Sequence, residues 1–511
     1  MILENIVKKN SYYDSATLML LTSKIGKQIG NAKDVSVMMG TDNNKDLMSV
    51  AGLLSKDGSD ATANDIVIAI RAKDQNVIND TLIMIEDELS RKNRDNTTTE
   101  KAVYTVEEAI DKKPESNIAV VSLPGEYAGR EVRKLLESNV NVLLFSDNIS
   151  IEEEIALKDL ALEKNLLMMG PDCGTAIING VGLGFSNKVK KGPIGIVAAS
   201  GTGLQEVATL VSNNGYGISH ALGTGGRDVT EQVGGRMMLA CLEMLENDND
   251  TEVIVIVSKP PSTNVLKEVM NKIYMMNKKV ITCFLNGDLE VLKKSGIDYA
   301  ETLEEAAIKA IKAIDKSGDV KKSNDLDNTL NESKDKLNLN QKYIRGLYCG
   351  GTLAYESMLL LRKEVGKVYS NIAVSPEEML QDTSISKEHT ILDLGDDEFT
   401  RGKPHPMIDP SLRGERLISE SMDEEVAVVL LDVELGYGSH DNPASILTEE
   451  VIYAKNHLSQ LGREVIYVAS ICGTFDDYQD YDYQKNLLES VGVHVMNSNA
   501  EAIRLAMKIV S

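Results

Sequence analysis

GPIGIVAASGTGLQEV, residues 192–207, decides the fold. Apolar β-branched residues run without interruption from Ile194 and end near Ala199. Ser200-Gly201-Thr202-Gly203 then forms a turn, and a helix is expected from about Leu204. A buried strand that passes through a glycine turn into a helix is the unit of a parallel α/β sheet. Such a turn also offers free backbone amides and a helix dipole to an anion. A tight turn with a hydroxyl cap and no ligand would read the same way.

The pattern spreads in both directions. VSVMM (35–39), DIVIAI (65–70), NIAVVSL (117–123), NVLLFSD (141–147) and NLLMMG (165–170) read as buried strands before it. EVIVIVS (252–258), KVITCFL (279–285), EVAVVLLDV (425–433), EVIYVASIC (464–472) and HVMNS (494–498) follow it. Helical stretches such as EYAGREVRKLLESN and NPASILTEEVIYAKNHLSQLG lie between them. The alternation predicts an α/β chain of several doubly wound parallel-sheet domains in tandem. Residues 317–340 are polar and lack buried periodicity, so they read as a linker. The expected division is 1–190, with a possible split near 95, then 191–316, the linker 317–340, and 341–511.

Composition narrows the function. The chain has 511 residues, 54 basic against 78 acidic, and a net charge of −24. With no Trp and only 4% aromatics it lacks the basic patches and stacking rings of nucleic-acid binders. No apolar run is long enough for a membrane span. The five cysteines form no CxxC, as expected of reduced thiols in a cytoplasmic protein.

Other turns carry candidate chemistry. YCGGTLAYES (348–357) echoes AASGTGLQEV (198–207): a strand end, a glycine turn with Thr, then a helix with Glu in its first turns. This makes Gly350, Gly351 and Thr352 substrate-binding candidates beside Ser200, Gly201, Thr202 and Gly203 for phosphate. Thr224, Gly225, Gly226 and Arg227 form a second phosphate candidate, because Arg binds oxyanions bidentately. Asp172, Cys173 and Gly174 lie on a turn at a strand's carboxyl end, where open α/β sheets bind ligands. Cys173 is expected to be an inert small residue. The loop from Asp393 to Asp409 holds Arg401 and Lys403 as substrate candidates and His405 as an acid, base or anion anchor. Asp396 and Asp397 are candidates for Mg²⁺. Ser200, Glu206 and His405 are the catalytic candidates.

GPDCGT, GPIGIVAASGTGLQEV and GYGISHALGTGGRDV together resemble the succinyl-CoA synthetase α subunit over roughly residues 115–310. Over essentially the whole chain, PGEYAGREV, MGPDCGT, ASGTG, GTGGRDV, VSKPP, GLYCGGTLAYE, DLGDDEFTRGKPHPMIDP and LLDVELGYG resemble the FdrA family of acyl-CoA-synthetase-like proteins. The resemblance implies Rossmann and flavodoxin-like domains, with a CoA-binding-like region at 1–190. It implies a subunit of oxamate carbamoyltransferase in allantoin catabolism, which turns oxalurate and phosphate into oxamate and carbamoyl phosphate. Other subunits, or a second copy of the chain, would be its partners. No cofactor is certain beyond the Mg²⁺ that Asp396 and Asp397 could hold. Phosphate or carbamoyl phosphate would be substrate, and CoA and ATP would enter only if the chain were an acyl-CoA ligase. Two departures bear on that alternative. The stretch 284–306, where the synthetase carries its phosphohistidine, contains no His. The first hundred residues hold no good counterpart of a glycine-rich CoA turn. ICGTFDDYQ (471–479 with Ile471 leading) also differs from the family, at Phe475 and Tyr478. A non-catalytic partner subunit is the remaining alternative.

Overall fold

The computed structural model describes residues 1–11, 13–28, 32–95, 103–318, 320 and 334–511. Most of the expected linker, and the residues just past the expected split near 95, lie outside these. The chain forms two compact units. The first comprises Met1–Ala102 with Asp397–His405, and the second comprises Val103–Asp396 with Pro406–Ser511.

The first unit departs from the expected parallel sheet. Its strands β1 (Ile2–Lys8), β2 (Ala32–Met39) and β3 (Ile66–Ala72) pair in the order β1-β3-β2, and both pairings are antiparallel. β3 is central and buried on both faces, with Ile66, Ile68 and Ile70 in one apolar cluster and Val67 and Ala69 in another. A strand covered on both faces reads as a continuous apolar run whichever way its neighbours point. That is why the sequence pattern suggested a parallel sheet here.

The second unit contains three sheets. β4 (Ile118–Val121), β5 (Asn141–Leu144) and β6 (Met168–Met169) form a small parallel one. The middle sheet has a parallel core of β9 (Lys191–Ala198), β10 (Ile218–Gly223), β11 (Val253–Ser258), β12 (Lys279–Phe284) and β13 (Asp298–Tyr299). An antiparallel pair, β7 (Thr175–Ile178) and β8 (Val181–Gly184), extends its β10 edge. The last sheet is wholly parallel: β14 (Tyr343–Tyr348), β15 (Thr390–Asp393), β16 (Val426–Glu434), β17 (Ile466–Cys472) and β18 (Val493–Met496).

Counted 1 to 5 in chain order, both parallel cores have the strand order 2-1-3-4-5. That is the flavodoxin-like order, whose direction of winding reverses beside strand 1. Strand 1 is β9 in one core and β14 in the other. The crevice at the carboxyl ends of these strands is the ligand position of such sheets, and both glycine turns stand there.

A shared apolar core joins the two halves. Leu204, Val207 and Val211 from the helix Gly201–Asn213 lie in one buried cluster with Leu353, Ala354, Met358 and Leu361 from the helix Gly351–Val365. Among the described residues, no helix is long and apolar enough to cross a membrane.

Candidate functional site: two facing glycine turns

The first helix begins at Gly201, three residues earlier than expected, so Gly201-Thr202-Gly203 is its first turn. Ser200 is the N-cap, and its Oγ accepts from the Gly203 amide at 3.1 Å. The second helix begins at Gly351 after Gly350. The two turns touch. Ser200 Oγ lies 2.7 Å from Thr352 Oγ1, and the Thr352 amide donates to Thr202 Oγ1 at 3.2 Å. A hydroxyl 150 positions away thus caps the second helix, while the first is capped by its own Ser200. The first amides of a helix have no partner within it, and among the described residues the Gly201, Thr202 and Gly351 amides meet no acceptor. Two helix N-termini and three hydroxyls (Ser200, Thr202 and Thr352) therefore converge on one place. Both dipoles favour negative charge there.

The second turn is backed by acids. Asp432 of β16 accepts from the Cys349 amide at 2.9 Å and the Gly350 amide at 2.7 Å. Arg413 is 1% exposed and donates to Asp432 Oδ1 and to the Asp432 carbonyl, each at 2.6 Å. Glu434 accepts a close contact from the Cys349 thiol through Oε2, while its buried Oε1 has no partner. Asp393, at the end of β15, lies on the other side. A side chain at Gly351 would place its Cβ 2.5 Å from Asp393 Oδ2, so only glycine fits that carboxylate against the turn. Burial pushes the Asp393 carboxyl up to about 7, and Asp396 and Asp432 push in the same direction. Lys259 opposes them, and its Nζ stands 5.0 Å from the Tyr355 ring centre.

Cys349, Asp432 and Glu434 are close enough to hold a metal among the described residues. They do not suit one. Arg413 already neutralises Asp432 and lies 3.2 Å from the Cys349 sulfur, so a dication would face a buried guanidinium. Asp396 and Asp397, the expected metal candidates, fall in different compact units. Arg401, Lys403 and His405 belong with the first unit, in which Gly402 packs on Leu47.

The remaining candidates are built into the first turn's surroundings. Thr224 is fully buried, and its amide donates to the Ala198 carbonyl. Gly225 has φ +84° and stands against the Pro171 carbonyl, so the 170–175 and 223–227 turns abut. Gly174 and Gly226 have no crowded neighbour. Arg227 differs from the expectation of a phosphate ligand. Its Nε pairs with Glu154 at 2.9 Å and its Nη2 donates to the Ile149 carbonyl at 2.8 Å. Beneath it, buried Lys158 bridges Glu154, Asp228 and the Thr224 carbonyl. Asp172, beside Cys173, has φ +57°. Burial pushes the Cys173 thiol up to about 12, which fits an inert residue.

Glu206 is placed away from the anion position. It is 2% exposed, and its Oε1 accepts from the Asn499 amide at 3.0 Å, at the start of the helix Asn499–Val510. Its counterpart Glu356 accepts from the Leu303 amide at 2.8 Å, at the start of the helix Leu303–Ile314. Each half thus caps the last helix of the other. Burial pushes the Glu206 carboxyl up to about 8, with Glu356 adding to the effect. This exchange escaped the sequence reading, and so did Lys259, while Asp393 was read only as one acid of the charged 393–409 loop. The matching Glu positions in the two turn motifs are the signal that pointed to it.

Three family models match the chain. They are "AllF, heavy metal-associated domain" over residues 1–106, "CoA binding domain" over 189–287, and "CoA-ligase" over 347–509. The CoA-binding match therefore covers the first turn and not the expected 1–190 region. Residues 1–106 contain no Cys and no His. The soft donors of that stretch are methionine thioethers alone, and it lacks the thiolates and imidazoles that would hold a heavy metal with them. Over 510 residues the chain is 42% identical to the uncharacterized protein YahF of Escherichia coli (strain K12), covering 99% of this chain and 98% of that one. It is 30% identical over 161 residues to the succinate–CoA ligase [ADP-forming] subunit alpha of Aquifex aeolicus (strain VF5), and spans about half (51%) of that relative's length. A solved dinucleotide-forming acetyl-coenzyme A synthetase 1 of Ca. Korarchaeum cryptofilum, in complex with phosphate and ADP, is 14% identical. The match has a TM-score of 0.35 and covers 81% of this chain and 86% of that one.

Proposed function

Since the chain belongs to the family of YahF, and itself matches CoA-ligase and CoA-binding domains, we propose that it transfers an acyl group to or from phosphate at the paired turns. The specific reading is a subunit of oxamate carbamoyltransferase, acting with partner subunits on oxalurate and phosphate. One observation carries it: the Ser200 and Thr352 hydroxyls, on two facing helix N-termini, are 2.7 Å apart. A phosphate oxygen accepting from both would replace their mutual bond. The amides of Gly201, Thr202 and Gly351 would take the other oxygens and stabilise charge that develops during acyl transfer. The lack of His in residues 284–306 supports direct transfer to phosphate rather than passage through a phosphohistidine.

The second reading is an ATP-dependent acyl-CoA ligase. The CoA-ligase and CoA-binding matches favour it, and the same turns would then hold an acyl phosphate intermediate.

The test uses the chain purified with its partner subunits and supplied with carbamoyl phosphate and oxamate. Phosphate and oxalurate released without ATP or CoA, and lost in Ser200→Ala, are expected. Turnover that appears only with ATP, CoA and a carboxylic acid would replace the first reading with the second.

A further inference from the structure

The two turns share one plan, a strand end, a glycine turn and a helix, but have different surroundings. Behind the first, the residue preceding the cap is Ala199, and β11 ends at Ser258 followed by the exposed Lys259. Behind the second, besides Asp432 with its Arg413 partner, stand two further carboxyls. Glu434, 2% exposed, turns its unpartnered Oε1 to within 2.8 Å of where a Gly350 side chain would begin. Asp393 holds the Gly395 amide with Oδ1 at 3.0 Å and presents Oδ2 to Gly351. Two ionised carboxylates would oppose the anion that the helix N-termini attract. The arrangement is consistent only if the acids carry protons when the anion is present.

We propose that the paired turns bind their anion together with a proton held by Asp393, with Lys259 as the nearby cation. This rests on the phosphate-binding reading above and deepens it. Glu434 is enclosed with Cys349, Asp432 and Arg413, whereas Asp393 is only partly buried and can exchange its proton. The charged groups acting on Asp393 are Asp396 in its own loop, Asp432 of β16 and Lys259 after β11. Its carboxyl, raised to about 7, is part-ionised near neutral pH. A bound phosphate raises it further, so binding draws in a proton.

In the transfer step the proton balance then closes within the site. A hydrogen phosphate oxygen attacks the carbamoyl carbon of oxalurate, forming the new C–O bond. The C–N bond breaks, and its electron pair stays on the departing oxamate nitrogen. Asp393 gives that nitrogen its proton and recovers one from the attacking hydrogen phosphate. Oxamate and carbamoyl phosphate leave with no net proton exchanged.

The experiment is calorimetric titration of the full chain with inorganic phosphate at pH 7.5, in buffers of different ionisation enthalpy. The slope of the observed heat gives the protons taken up. Phosphate itself titrates near neutral pH and contributes equally in both chains, so the difference is read: wild type is expected to take up a substantial fraction of a proton more per phosphate than Asp393→Asn. Equal proton exchange in wild type and Asp393→Asn, both binding phosphate, overturns the inference and leaves the phosphate site standing. No phosphate binding at all, in a chain shown by circular dichroism to be folded, overturns the phosphate reading and this inference with it. Lys259→Ala is expected to weaken phosphate binding about tenfold, and Lys259→Arg to restore most of it.

Discussion

The halves built on β9 and β14 present the same turn in two chemical settings. Around the first, the tight contacts are with uncharged groups, Ser200 Oγ at Gly203 and the Pro171 carbonyl at Gly225. Its buried charges, Lys158 with Glu154 and Asp228, sit one layer back and anchor the 223–228 loop. Around the second, the charges press on the turn itself: Asp432 holds two of its amides, and Asp393 fills the space of a Gly351 side chain. One strand–turn–helix design thus keeps its charges one layer back in one half and presses them on the turn in the other. The halves depend on each other, because Glu206 and Glu356 cap helices across the join.

The largest expected effect tests the two anchors. Lys158→Met and Arg413→Met each leave buried carboxylates without their cation. Each should cost about 3–5 kcal/mol in urea-induced unfolding. A near-neutral result for one of them would show that its half is not held by its buried cation.

The glycines of the two first turns sharpen the contrast. A Cβ at Gly201 would meet only Thr175 Oγ1, at an ordinary 3.7 Å, whereas at Gly351 it would meet Asp393 at 2.5 Å. Gly351→Ala is expected to lose about 1–3 kcal/mol by overpacking. Gly201→Ala should be neutral or gain up to about 1 kcal/mol from helix propensity. Equal losses would mean that Asp393 does not set the second turn's shape.

The pH dependence tests the shared caps. Glu206 has its folded pKa raised to about 8, above the ordinary value of about 4.3. Its contribution to stability is full below the unfolded pKa and is lost as pH rises through about 8. Glu206→Gln keeps an oxygen for the Asn499 amide and cannot ionise. Its stability should therefore fall less than that of wild type between pH 5 and pH 8.5, by thermal melts at about eight pH values. Parallel curves would contradict the buried cap.

The smallest effect concerns the thiols. All five cysteines are buried, so iodoacetamide should modify none of them in the native chain within an hour and all of them in urea. Rapid native labelling of Cys349 would mean that the acid cluster behind the second turn opens readily.

Much of this organisation was legible in the sequence. The unbroken strand at 194–199 and the echo at 348–357 located both turns, because a glycine break between a β-branched run and a helix has few other structural meanings. The antiparallel pairing of the first unit was not legible, since a central strand buried on both faces carries no sign of its neighbours' direction. Nor was the occupation of Arg227, because its partners Glu154 and Ile149 lie more than 70 positions away. Asp432 was visible as a strand-end acid, but its bond to the second turn depends on register between β14 and β16. The loop 393–409 read as one charged site, and the fold divides it between two compact units.

The central claim is that the two turns make a single anion site. Phosphorus-31 NMR titration of inorganic phosphate against wild type, Ser200→Ala, Thr352→Ala and the double variant tests it most directly. A single site predicts that each single change weakens binding by a similar factor, about tenfold if each hydroxyl contributes about 1.4 kcal/mol. It also predicts that the double variant loses less than the product of the two, because the hydroxyls share one ligand and one mutual bond. Loss in Ser200→Ala with Thr352→Ala unchanged, or two losses that simply multiply, would contradict it.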